Sequence, residues 1–170
     1  MGRLTQKLME AEIQIRLLAE DEAPPFALLH LADPSRTLIE QYLARGQCYV
    51  AADDRNDVRA AMVIVPTRPD TVEIMNLAVR EDCQGKGIGK RLIQYAIHLA
   101  GERNAKTVEI GTGNSSIGQL LLYQKCGFRI TGIDRDFFVR QYEEAIYENG
   151  IQCRDMIRLS LDLELGKTEM

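Results

Sequence analysis

The chain has little with which to hold a metal: two histidines, and four cysteines (Cys48, Cys83, Cys126 and Cys153) scattered without a Cys-x-x-Cys pair. These read as reduced thiols of a cytoplasmic protein, not as ligands or a disulfide framework. Long apolar runs are also missing, so no segment is expected to cross a membrane, and no secretory leader is evident. Met1-Gly2 begins like a myristoylation signal, but Gln6 stands where that signal needs Ser or Thr. There is no basic excess. The 21 Lys and Arg face 25 Asp and Glu, and a net charge of −4 argues against bulk nucleic-acid binding and mildly favours cationic partners. Repeats, low-complexity tracts and a linker long enough to divide domains are absent as well. What is present suits one domain with a real core: 170 residues, 45% of them hydrophobic.

One stretch organises the rest, Val72 to Arg91. Ile74 to Val79 has the length and β-branched content of a buried strand. A short polar turn follows, then three glycines at alternate positions, Gly85, Gly87 and Gly89. Beyond them Ile88, Leu92, Ala96 and Leu99 recur at the spacing of one helical face. Strand, glycine-rich loop and helix together form an anion cradle, because glycine lets the backbone approach closely and the first helical N–H groups are free. Lys86, Lys90 and Arg91 add positive charge at the same place. A P-loop is excluded, since Arg80 stands where its first glycine would be. A dinucleotide fingerprint fails too, because its third glycine would come one residue later.

The spacing that does fit is Gln-x-x-Gly-x-Gly (Gln84, Gly87, Gly89), preceded by Leu77-Ala78-Val79 and followed downstream by Leu122-Tyr123-Gln124-Lys125-Cys126-Gly127-Phe128. In order and spacing these resemble the acyl-CoA loop and the tyrosine helix of the GNAT superfamily of N-acetyltransferases, over most of the chain from about Gln47 onward. The resemblance implies an α/β fold: a single-domain, twisted mixed sheet of six to seven strands with helices on both faces. Residues 1–11 are set aside as an N-terminal arm, and 12–165 as the acetyltransferase domain.

The local patterns predict strands at 13–17, 48–52, 60–65, 74–79, 107–110, 128–133 and 151–161. Helices are predicted at 26–32, 38–44, after the glycine loop, and from Ile117 with Ile117, Leu120 and Leu121 inward. Pro66 to Pro69 is read as a turn, and Gly127 as a left-handed helix C-cap. In the family the central strand and the strand after the long helix splay apart, and the acyl group sits in the gap.

The implied reaction is acetyl transfer from acetyl-CoA to a primary amine by direct attack in a ternary complex, with no cysteine placed to carry an acyl intermediate. Backbone groups at Leu77, Ala78 and Val79 would meet the pantetheine arm like an added strand. N–H groups of Gln84, Gly85, Lys86, Gly87, Ile88, Gly89 and Lys90 would take the pyrophosphate. Tyr123, a phenol of ordinary pKa about 10, would protonate the leaving thiolate. The family's usual Asn, seven residues before that Tyr, is Ser116 here, and Asn114 comes two residues earlier, so either is a candidate CoA contact. Glu73 resembles the base of the histone acetyltransferase branch; a solvated strand residue is the other reading. The aromatic and acidic segment 137–148 reads as a lid over the acceptor or as a solvated helix. Other acyl-CoA donors, and a non-catalytic CoA-binding module of regulation or assembly, are the alternatives. The acceptor, small molecule or protein, is left open, and a homodimer is compatible with the reading.

Overall fold

The computed structural model describes residues 12–163, and the arm predicted at 1–11 lies outside them. In chain order the elements are β1 (Gln14–Leu17), α1 (Phe26–Leu29), α2 (Arg36–Arg45), β2 (Gln47–Ala52), β3 (Val58–Arg68) and β4 (Thr71–Val79). After a 3₁₀ turn (Glu81–Cys83) come α3 (Ile88–Glu102), β5 (Thr107–Gly113), α4 (Ile117–Lys125), β6 (Arg129–Asp134), α5 (Phe137–Gln141), β7 (Ile146–Glu148), β8 (Ile151–Cys153) and β9 (Met156–Asp162). One mixed sheet runs β1-β2-β3-β4-β5-β9-β6, and β7-β8 form a separate hairpin.

Each face of the sheet carries its own core. Helix α3 presents Ile88, Leu92, Ile93, Ala96 and Ala100 as one buried stripe. They pack with Tyr49, Ala51, Met62, Ile64, Ile74 and Val108 of the strands. Each Leu or Ile buried this way contributes about 1.5–3 kcal/mol. On the opposite face Leu28 and Leu29 of α1 and Ile39 and Tyr42 of α2 cover Val50, Ala61, Val63, Val65 and Ala78. Helix α2 starts on Ser35, whose hydroxyl accepts from the Leu38 N–H at 3.2 Å.

Several expectations are corrected. Strand β3 continues through Pro66 to Arg68, where a turn was expected. Pro66 is tolerated because β2 begins opposite Ile64, so the missing N–H leaves no partner unpaired. The strand expected at 151–161 is two strands, broken at Arg154-Asp155. Here Asn114 Oδ1 accepts from both Arg154 N and Asp155 N. On α4, Ile117 and Leu121 are more than half exposed, and Tyr123 is the buried residue. The helix is turned so that its Ser116–Tyr123 face meets the sheet. Gly127 does adopt a left-handed φ of 99° after α4.

Candidate functional site

Strand β4 is central because its two neighbours treat it differently at its two ends. It pairs in parallel with β5 only from Thr71↔Thr107 to Ile74↔Ile110. Its pairing with β3 continues to Val79↔Ala60. Beyond Ile74 the two parallel strands therefore diverge. At that point Ile74 faces Ile64 and Asn76 faces Val63, leaving Met75 as an extra, bulged residue. The bulge shifts the alternation. Val72, Ile74, Leu77 and Val79 pack toward α3, whereas Met75 and Ala78 pack toward α1 and α2.

The same ladder sets the direction of the backbone groups. Arg80 N donates to Arg59 O at 2.9 Å. By the two-residue alternation of an antiparallel pair, Ala78 and Asn76 also bond toward β3. Leu77 and Val79 consequently turn their N–H and C=O groups to the side where β5 has left. The Gln84 side chain already donates to Val79 O at 3.0 Å, tying the loop to the end of the strand.

Two adjoining cavities occupy the divergence. One, of about 230 Å³, is lined by Leu77, Asn76, Ser116, Gln119, Tyr123, Phe138 and Cys153 among others. The second, of about 270 Å³, is lined by Glu73, Tyr42, Arg45, Phe137 and Arg158. They share Asp33, Ile74, Met75, Gly111, Tyr142 and Met156. Tyr123 and Glu73 thus border neighbouring spaces that meet at the bulge.

The glycine loop is built for close approach. Gly85 and Gly87 have φ of 75° and 82°, which L side chains rarely adopt, and a Cβ at either would meet nothing within 4 Å. Gly87 caps α3 with no side-chain hydrogen bond and no acidic residue in the first turn. Its carbonyl takes the Arg91 N–H; the N–H groups of Ile88, Gly89 and Lys90 precede the first such bond and are free for an anion. Lys86 and Lys90 are exposed beside them. Arg91, in contrast, is bonded to Ile13 O at 2.7 Å. Arg80 steadies the approach to the loop, pairing with Asp57 and Asp82, and Cys83 is buried core.

Tyr123 is 5% exposed, and burial raises its phenol pKa, with the Cys126 thiol adding to the effect. Its hydroxyl has no hydrogen-bond partner among the described residues. Glu73 sits on the α2 side with its side chain 16% exposed, 3.8 Å from Arg158 Nη1. Burial raises its pKa, and Arg158 partly offsets this. Of the two candidate polar contacts, Ser116 lines the inner cavity and donates to Glu148 Oε2 at 3.1 Å. Asn114 is fully engaged in the chain turn, its Nδ2 donating to Gln152 O.

Sequence reading missed part of this wall. Asn76 Nδ2 donates to Leu29 O (3.0 Å) and to Tyr42 OH (2.7 Å), while Tyr142 OH donates to Asp33 Oδ1 at 2.8 Å. Burial pushes both tyrosine pKa values up, and neighbouring Asp33 reinforces the shift. Of the 137–148 segment, Phe137, Phe138, Gln141, Tyr142, Ile146 and Glu148 line the cavities; Glu143 and Glu144 do not. Cys153 bears on the expectation that no cysteine is placed to carry an acyl intermediate. Its thiol lines the inner cavity, so close to Gly113 that a Cβ there would stand 2.3 Å from Sγ. Burial raises that thiol's pKa, however, which keeps it protonated and a poor nucleophile.

Comparison with known proteins places this architecture. The model of the Acetyltransferase (GNAT) family matches residues 15–128. The "Uncharacterized N-acetyltransferase YvbK" of Bacillus subtilis (strain 168) is 56% identical over 153 residues, covering 89% of this chain and 97% of that protein. A GNAT family acetyltransferase from Elizabethkingia anophelis, solved with acetyl-CoA bound, has a TM-score of 0.87 at 47% identity, covering 89% of this chain and 98% of its own. A Bacillus subtilis acetyltransferase in complex with CoA has a TM-score of 0.84 at 55% identity, covering 89% and 99%. With the family model spanning strands β2 to β5, the glycine loop and the tyrosine helix, this chain belongs to the GNAT family of acetyltransferases.

Proposed function

We propose that the protein transfers the acetyl group of acetyl-CoA to a primary amine by direct attack in a ternary complex. The observation that carries this is the divergence of β4 and β5 after Ile74, which opens one space to Tyr123 and an adjoining one to Glu73. Relatives about half identical to this chain are solved with acetyl-CoA or CoA, which supports the donor. The backbone groups of Leu77 and the N–H of Val79 hold the pantetheine amides as a strand would, while Gln84 keeps the Val79 carbonyl. The N–H groups from Gln84 to Lys90, with Lys86 and Lys90, take the pyrophosphate.

The acceptor must arrive as a neutral amine, and an alkylammonium of pKa about 10.4 is mostly charged at pH 7. Glu73 supplies the base. Its raised pKa brings it closer to the working pH, where a general base is most effective. Glu73 takes the ammonium proton and passes it to water. The neutral amine nitrogen then attacks the thioester carbon, the C–N bond forms, the C–S bond breaks, and the second N–H proton goes to Glu73. Tyr123 gives its hydroxyl proton to the leaving thiolate, and the proton held by Glu73 returns to the phenoxide through water. Because that phenol's pKa is raised, Tyr123 stays protonated and ready to donate at any ordinary pH. Protonated Cys153 takes no part.

The test is a thiol-release assay with acetyl-CoA over a panel of amines and peptides. The expected result is release that depends on the amine and yields its N-acetyl product. Release that no amine raises above the amine-free rate would overturn the reading.

A further inference from the structure

The acceptor side of the gap brings two kinds of polar group together. Glu73 lines the outer cavity, Asn76 the inner one, and Asp33 borders both. Asn76 is only 3% exposed. Its Nδ2 gives both hydrogens away, one to Leu29 O and one to Tyr42 OH. A carbonyl such as Leu29 O can only accept, so the amide cannot lie the other way round. Asn76 Oδ1 is thereby left buried without a partner among the described residues, and the Asn76 side chain acts as part of the wall that ties β4 to α1 and α2.

At the outer wall stands a group that can only donate. The Arg158 guanidinium makes no hydrogen bond among the described residues. Its neighbouring carboxylates, Glu73 and Asp134, are each 3.8 Å away, and Asp134 is held more tightly by Arg140 at 2.7 Å. The Phe137 ring lies 5.9 Å from the guanidinium carbon. An arginine fork left open on a cavity wall is suited to a planar carboxylate, which it can take with two parallel bonds.

Resting on the transferase reading above, we infer that the acceptor is a small amino-acid-like molecule. Its amine lies on Glu73, and its carboxylate lies on Arg158. The 3.8 Å between Arg158 Nη1 and Glu73 Oε1 requires the amine and carboxylate to be only a few bonds apart, as in an α- or β-amino acid. The outer space of about 270 Å³ is smaller than a typical drug-sized site. It accommodates such a molecule whole. A polyamine or a peptide N-terminus lacks the neighbouring carboxylate that Arg158 would hold.

The experiment is thiol release with the full chain, acetyl-CoA and matched acceptors. Each set holds an L-amino acid, its carboxamide, and the amine left when the carboxylate is removed; leucine, methionine and glutamate give three such sets. The free acid is expected to exceed both partners in kcat/KM by about tenfold or more in at least one set, as a charge-assisted contact provides. Arg158→Gln should reduce that preference at least tenfold, mainly through KM, and Arg158→Lys should restore only part of it. Amides or decarboxylated amines that match the acids in every set would overturn the inference and leave the transferase reading standing. So would a preference that survives Arg158→Gln unchanged. Absence of release with every acceptor would instead overturn the transferase reading, and this inference with it.

Discussion

Replacing Gly87 with alanine tests the anion cradle, because its two expected effects have separate causes. Gly87 sits at φ 82° and ψ 8°, the N-cap of α3, and a Cβ there would touch no atom within 4 Å. The cost to the protein alone is therefore backbone strain, about 1–2 kcal/mol for an L residue in this region. For a domain of this size that lowers Tm by about 2–8 °C. The space a Cβ would enter is the space an anion needs, and a chain that relaxes to negative φ turns its N–H groups away. Losing one charge-assisted hydrogen bond, about 1.5–3 kcal/mol, raises the CoA Kd about ten- to a hundred-fold. Calorimetry with CoA and a thermal melt measure the two effects. Gly101→Ala serves as the control: the residue lies inside α3 with open space at its Cβ and no positive φ. It should gain about 0.5–1 kcal/mol in stability and bind CoA as before. A folded Gly87→Ala protein with wild-type CoA affinity would refute the assignment of the loop.

Tyr123→Phe keeps the buried ring and removes its proton. It should lower kcat by about 10²–10⁴-fold with little change in CoA Kd, and an effect under about twofold would assign thiolate protonation to water. Since burial raises this phenol's pKa, wild-type kcat should show no loss from tyrosine ionisation as pH approaches about 10. For Glu73 the folded pKa lies above the unfolded value of about 4.3, so its burial penalises folding at neutral pH and not below that value. Glu73→Gln should thus be more stable than wild type at pH 7 in urea titrations, with the difference closing as pH falls below about 4. In kinetics the wild-type kcat/KM should rise with pH through the Glu73 pKa, and a limb that persists in the Gln variant would assign that titration elsewhere.

The strand, glycine loop and α3 were legible because each depends on neighbours in the chain: β-branched residues for the strand, glycines for positive φ, and a 3.6-residue period for the helix. The bulge at Met75 was not, since nothing in Ile74-Met75-Asn76 distinguishes it from plain alternation; it arises in the register against Val63 and Ile64. The polar wall of the gap was hidden for a related reason. Asp33 and Tyr142 stand 109 residues apart, and Asn76 reaches 47 residues back to Leu29 O. Cys153 reads in sequence as one more scattered thiol, and it borders the inner cavity next to the break that Asn114 holds at Arg154-Asp155. The misread face of α4 is a matter of size and polarity. Ile117 and Leu121 are the more apolar choice, but Tyr123 fills the cavity wall and leaves them exposed.

Direct transfer between two bound substrates is the centre of the account, and Cys153 on the cavity wall makes its alternative a concrete one. Initial rates should be measured with acetyl-CoA and the best amine varied together, and the protein weighed intact after incubation with acetyl-CoA alone. Intersecting double-reciprocal lines and an unmodified protein mass are the predicted results. Parallel lines, together with one acetyl group found on Cys153, would contradict the account and make this a covalent, ping-pong enzyme.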